Sequence, residues 1–124
     1  MISIIDNNTT ALLSMALDAA GMRQQAIAQN IANVSTPGYQ RVSVSFEGRM
    51  AALAANSAPG ATPSLADMSN YRPAFEYATG ATEPVALDQE LAQMSETVLH
   101  QHALLKALNN QLELIGLAIN EGKR

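Results

Sequence analysis

Apolar positions in the C-terminal third of the chain recur in alternating steps of four and three residues. This spacing keeps them on one face of a helix that winds against a partner. It predicts a helix from about Asp88 to Gly122, with Asp88 and Glu90 complementing its positive N-terminal end. The row consists of Leu87, Leu91, Met94, Val98, Gln101, Leu105, Leu108, Leu112, Ile115 and Ile119.

The N-terminal third has a row of the same spacing, which predicts a second helix over residues 10–34 with Thr9 or Thr10 as its cap. Pro37 should end this helix near Asn33. The order Thr36-Pro37-Gly38-Tyr39 suits a type II turn. The row consists of Leu13, Leu17, Ala20, Gln24, Ile27, Ile31 and Val34, with Gln24 as its polar interruption.

Between the two rows the pattern is weaker. Polar and apolar residues alternate over 41–46, which predicts a short strand with Val42, Val44 and Phe46 facing inward. A short helix is expected over 47–55. Residues 54–86 lack a sustained period and are rich in small residues and proline, so we expect a loop. Its aromatic residues, Tyr71, Phe75 and Tyr77, could dock on Tyr39 or Phe46.

The predicted fold is mainly α, with the two terminal helices paired as an antiparallel coiled-coil hairpin. Residues 1–39 and 87–124 would form the helical domain, and residues 40–86 a strand, helix and loop insert. An ordinary two-helix core is the simpler alternative. However, apolar residues surround the second half of the C-terminal helix, and one partner helix cannot cover them. This surplus favours an oligomer or polymer.

Composition and charge argue against several classes of function. The net charge is −4 and the basic residues are scattered, so nucleic acid is not an expected partner. No apolar run approaches the length of a membrane span, and no cleavable signal is expected. With no cysteine and with His100 and His102 on opposite sides of a helix, we expect no metal, no cofactor and no enzymatic activity.

Asn30 and Asn33 lie three residues apart on one helix face, just before the predicted turn. The simpler interpretation is a polar helix end with Asn33 as a C-terminal cap. Alternatively, one or both amides bond to the backbone of the turn or of a neighbouring subunit, and so fix the register of packing.

The run from Arg23 to Tyr39 resembles the N-terminal signature of flagellar rod and hook proteins. The core of that signature is Asn-Ile-Ala-Asn followed by Thr-Pro-Gly-Tyr, here at residues 30–33 and 36–39. The residues that carry it are Asn30, Ile31, Asn33, Thr36, Pro37, Gly38 and Tyr39. The acidic start of the C-terminal helix also resembles this family, and the short length favours its proximal rod members.

This resemblance implies a structural subunit of the flagellar basal-body rod, exported without signal cleavage and assembled in the periplasm. It implies copies of the chain, other rod proteins, the small adaptor FliE and the export apparatus as partners. The two apolar rows would then be the assembly surfaces. A soluble helical module that binds other proteins is the alternative class.

Overall fold

The computed structural model describes residues 2–60, 64–79 and 84–122, with the side chains of residues 2–6 left out of the description. The elements follow one another along the chain as two long helices that enclose shorter segments. They are α1 (Ile2–Ala32), β1 (Val42–Ser45), α2 (Glu47–Asn56), α3 (Leu65–Ser69), β2 (Ala74–Tyr77) and α4 (Leu87–Gly122).

Helices α1 and α4 pack along each other and form most of the fold. Gln24 donates to Gln101 over 2.6 Å, and Asn30 donates to Glu90 over 3.2 Å. Because the partner number falls as the α1 number rises, the helices are antiparallel. The predicted mainly α fold with a helical hairpin is therefore confirmed, and the polar interruptions of the two rows meet each other.

The turn after α1 has the predicted form. Helix α1 ends at Ala32, close to the expected Asn33. The Tyr39 N–H donates to the Thr36 carbonyl over 3.3 Å, and Gly38 has a φ of 72°. A positive φ at the third position of a four-residue turn defines type II, and glycine adopts it without steric cost.

The middle segment is more ordered than its sequence predicts. The strand and the helix expected after the turn are confirmed as β1 and α2. However, the loop expected over 54–86 is wrong in part, since it contains α3 and β2. Ser64 caps α3 through a reciprocal pair of bonds with Asp67. These bonds lower the pKa of the Asp67 carboxyl.

β2 pairs with β1 in antiparallel register, with Val44 opposite Phe75 and Val42 opposite Tyr77. The aromatic side chains of β2 therefore lie across the sheet from Val42 and Val44, where Phe75 and Tyr77 remain exposed. Phe46 is buried at the start of α2. Alternation in β2 is too short to be recognised, because only four residues form the strand.

The predicted start of the first helix is wrong. Thr9 and Thr10 were expected to cap it, but α1 continues through both residues and is already helical at Ile2. Asn7, Asn8, Thr9 and Thr10 have low helix propensity and resemble a cap in sequence. Helix α4 ends at Gly122 and is 36 residues long, so it can pack beside the extended α1.

We expect Gly38→Val to destabilise the chain by about 1–2 kcal/mol, because a β-branched residue is strained at positive φ. Gly48→Val is the matched control, since Gly48 lies in α2 and a Cβ there would meet nothing within 4 Å. Urea unfolding followed by helix content measures both. Equal effects at the two positions would contradict the assigned turn.

Candidate functional site

A buried amide joins α1, the turn, β1 and α4. Asn30 is 0% exposed. Its Nδ2 donates to the Val42 carbonyl over 2.9 Å and to Glu90 Oε2 over 3.2 Å. Its Oδ1 accepts the Val42 N–H and the Tyr39 hydroxyl, both over 2.9 Å. An asparagine amide can make two donor and two acceptor bonds, so the hydrogen-bonding capacity of Asn30 is filled.

The two bonds to Val42 make the side chain of Asn30 act as a short strand partner. Both backbone groups of Val42 point to it, on the edge of β1 away from β2. An unpaired buried backbone group would be costly. Asn30 thus fixes the position of β1 against α1. The backbone that this amide binds belongs to β1 of the same chain, and not to the turn or to a neighbouring subunit as the alternative interpretation had it.

Glu90 extends this polar junction into α4. It is 1% exposed and accepts a bond from Arg41 Nε over 2.6 Å as well as the Asn30 bond. Arg41 also donates to Gln93 over 2.8 Å. The sequence assigned Glu90 to the positive end of its helix. That interpretation is incomplete, since the buried carboxylate is neutralised by Arg41 and hydrogen-bonded on both oxygens.

The Tyr39 hydroxyl closes the junction on the side of the turn. Partial burial raises the pKa of Tyr39, and the nearby Glu90 carboxylate and Tyr77 raise it further. Each of these effects disfavours the phenolate. Tyr39 therefore keeps its proton and its bond to Asn30 throughout the ordinary pH range.

Asn33 has a local role that differs from that of Asn30. Its Nδ2 donates to the Gln29 carbonyl over 2.9 Å, and its Oδ1 accepts the Thr36 hydroxyl over 3.1 Å. No described non-glycine residue has a positive φ. Asn33 thus holds the helix end and the turn through its side chain, without the left-handed cap conformation.

All the residues on α4 that are buried or half-buried, except Val98 and Gly116, form a row that differs from the predicted one. We call it the inner row: Glu90, Met94, Thr97, Gln101, Leu104, Leu108, Gln111 and Ile115. Its steps of four and three, and its bonds to Asn30 and Gln24, place it towards α1. Half of its members are polar.

Apart from Leu87, the remaining predicted positions of α4 form a second row with steps of seven, which we call the outer row: Leu91, Val98, Leu105, Leu112 and Ile119. All except the half-buried Val98 are exposed, with Leu112 at 50%. The predicted C-terminal row thus combines two faces. Met94, Leu108 and Ile115 belong to the inner row, and the outer row has no partner helix among the described residues.

The predicted N-terminal row is distributed as follows. Ala20 and Ile27 are buried, and Leu13, Leu17 and Ile31 are half-buried. Val34 lies after the end of α1 and is exposed. The part of this row within the helix is thus covered to some degree in the single chain.

Neither a cluster of metal ligands nor a membrane-spanning helix is found in the parts of the chain that are described. Residues 2–60, 64–79 and 84–122 contain no cluster of three or more acidic or histidine side chains that could hold a metal ion. Their helices are too short or too polar to span a bilayer. His100 lines a groove beside Arg23 and Glu47.

Arg23 and Glu47 form an ion pair between α1 and the start of α2. Burial alone would raise the pKa of Glu47, but the hydrogen bond and charge of Arg23 outweigh it and lower the pKa. Glu47 remains mostly exposed, so solvent screening keeps the contribution of this pair to stability small.

Fold and site together define a class of protein: a helical hairpin whose polar junction fixes its geometry. Within the part of the chain that the structure describes, its outer apolar row has no partner helix. A family model described as flagella basal body rod protein matches residues 13–40. The match covers most of α1, the turn and Gln40, and it supports the resemblance found in the signature residues. No curated protein matches the chain significantly.

The sequence did not reveal the link between the signature and α4. Arg41 and Glu90 form part of this link, and they are 49 residues apart in the sequence. The available signal was the recurrence of polar residues at helical spacing along α4, at Glu90, Thr97, Gln101 and Gln111.

Asn30→Ala should destabilise the chain by about 3 kcal/mol, because it leaves both polar groups of Val42 and the Tyr39 hydroxyl without this partner. Asn33→Ala is the matched control and should cost less than about 1 kcal/mol, since its bonds are local and exposed. Urea unfolding of both variants measures the difference. Similar costs would contradict the junction as the main constraint.

The raised pKa of Tyr39 predicts a loss of stability at alkaline pH. The folded chain holds this proton more tightly than the unfolded chain, so the contribution is present below pH 10.0 and is lost as pH rises through the folded pKa. Tyr39→Phe lacks this loss. The difference in unfolding free energy between the two proteins should therefore stay constant up to about pH 9 and shrink as the pH rises above about 10. A constant difference would refute the assignment.

Proposed function

We propose that this chain is a structural subunit of the flagellar basal-body rod and polymerises through its terminal helices. The observation that carries the proposal is the outer row of α4, which is apolar, regular and exposed in a chain that resembles rod proteins in its N-terminal signature.

The outer row suits assembly because its residues repeat every seven positions along about 42 Å of helix. Other large apolar side chains of α4 are also exposed, among them Leu99, Leu114 and Leu117. A soluble monomer rarely leaves so continuous an apolar surface in water. Neighbouring subunits would cover it.

Small gains in free energy per subunit are sufficient to favour a polymer. Burying one leucine is worth about 1.5–3 kcal/mol, and each added subunit repeats the gain. The inner row is half polar, so the hairpin itself buries little apolar surface along this face. Most of the apolar surface of α4 is therefore available for contacts between subunits, with the outer row as their centre. The members of the two predicted rows that face inward would hold the hairpin together instead.

Further features are proposed from the resemblance. The chain would be closest to the proximal rod protein FlgB and would use residues 1–39 and 87–124 as its helical rod core, with coiled-coil contacts, and 40–86 as an insert. It would leave the cell through the flagellar export apparatus and assemble in the periplasm beside other rod proteins and FliE. It would act as part of the drive shaft for motility and would not be an enzyme.

Leu112→Asp tests the proposal, because Leu112 belongs to the exposed outer row and the substitution should leave the hairpin folded. Leu108 is unsuitable, since it lies in the inner row. Asn110→Asp is the matched control. It adds the same charge within the same turn, but on an exposed position about 160° away around the helix.

We expect the Leu112→Asp chain to be exported and to build no rod, whereas Asn110→Asp should support rod assembly and swimming. Electron microscopy of purified basal bodies and a motility assay measure these outcomes. Normal rods with Leu112→Asp would refute the outer row as an assembly surface. They would favour a soluble interaction module.

A further inference from the structure

Helices α1 and α3 border a second apolar feature, which we call the α1–α3 groove. It has a volume of about 700 Å³, and residues of α1 and of the segment 65–73 line it, with none from α4. Its large apolar side chains are Met15, Leu17, Met22, Leu65 and Met68. Methionine side chains adapt their shape to an incoming apolar surface.

The groove has room for the side chains of another helix. Gly21 lies in its lining, and a Cβ built there would meet nothing within 4 Å. Ala11 and Ser14 are also small, so a helix could approach α1 closely at these positions. Leu65 on the opposite wall is 49% exposed.

The length of the groove matches part of the outer row. Along α1 its lining runs from Ala11 to Gln25, which is about 21 Å at the rise of an α-helix. Val98, Leu105 and Leu112 span the same number of residues on α4. Centred on this stretch in an antiparallel approach, they place Lys106 level with Asp18. Three successive members of the outer row therefore fit its length.

Charged residues beside the two surfaces are complementary. Asp18 and Arg72 line the groove, while Lys106 and Glu113 directly follow Leu105 and Leu112. The ion pairs within the described residues are Arg23–Glu47 and Arg41–Glu90. All four of the complementary charges are exposed and lie outside those pairs.

We propose that the α1–α3 groove of one copy receives the outer row of α4, from Val98 to Leu112, of a second copy in antiparallel orientation, with Asp18 against Lys106. This inference rests on the proposed function and specifies which surfaces meet. Groove and row are different surfaces, so the contact is heterologous, and repeating it extends an open polymer. Pairing of two outer rows would instead close a dimer and leave the groove uncovered.

Disulfide crosslinking tests the contact directly, because the chain contains no cysteine of its own. One chain carries Ser14→Cys in the groove, and a second, tagged chain carries Asn109→Cys beside the outer row. Mixed at high concentration and oxidised, they should form the mixed dimer at least about tenfold more than the pair Ser35→Cys with Asn109→Cys. Ser35 is exposed in the turn after α1 and serves as the background control.

A charge exchange provides an independent measurement. Asp18→Lys should raise the dissociation constant of self-association by about threefold, as should Lys106→Asp, since exposed ion pairs are weak. The double variant should recover the original value. Sedimentation equilibrium measures all four proteins, and circular dichroism checks that each remains folded.

The outcomes separate this inference from the proposed function. Crosslinks between two Asn109→Cys chains without Ser14 crosslinks would overturn the groove contact, while the outer row would stand as an assembly surface. Failure of the charge exchange to restore association would also overturn it. A chain that stays monomeric up to about millimolar concentration would overturn the groove contact as well. In that case the rod phenotype of Leu112→Asp would still test the proposed function separately.

Discussion

The buried amide of Asn30 is the constraint on which the rest of the structure depends. One side chain pairs with both backbone groups of Val42, accepts the Tyr39 hydroxyl and contacts Glu90. Each of these partners lies on a different element, so the end of α1, the turn, β1 and the start of α4 are positioned together. A leucine or alanine is a better helix former but could not do this, because the surrounding polar groups would remain unpaired.

This polar junction explains how α1 and α4 can pack in one defined register while large apolar side chains of α4 remain exposed to solvent. The inner row contains Glu90, Thr97, Gln101 and Gln111, and the Gln24–Gln101 bond adds a second polar contact between α1 and α4. Polar pairs in a helical interface fix register at some cost in stability. Register would then depend on hydrogen bonds, and the leucines of the outer row would serve contacts with other subunits.

Sequence reasoning predicted the elements whose own residues carry a recognisable pattern, namely both long helices, the type II turn, β1 and α2. It failed where the signal is local or long-range. Asn7 to Thr10 resemble a helix start, but tertiary context extends α1 through them. β2 forms because β1 offers it an edge, and nothing within its four residues predicts that pairing. The junction depends on a contact between residues 30 and 90, which spacing along the chain does not encode.

Periodicity alone could not separate the two faces of α4. Met94, Leu108 and Ile115 belong to the inner row, but each also lies three residues after a member of the outer row.

A side-chain-resolution image of the assembled chain tests the central claim most directly. The account predicts that Leu91, Leu105, Leu112 and Ile119 are covered by neighbouring subunits, while the bonds of Asn30 persist. Assembled chains in which these four side chains face solvent would contradict it.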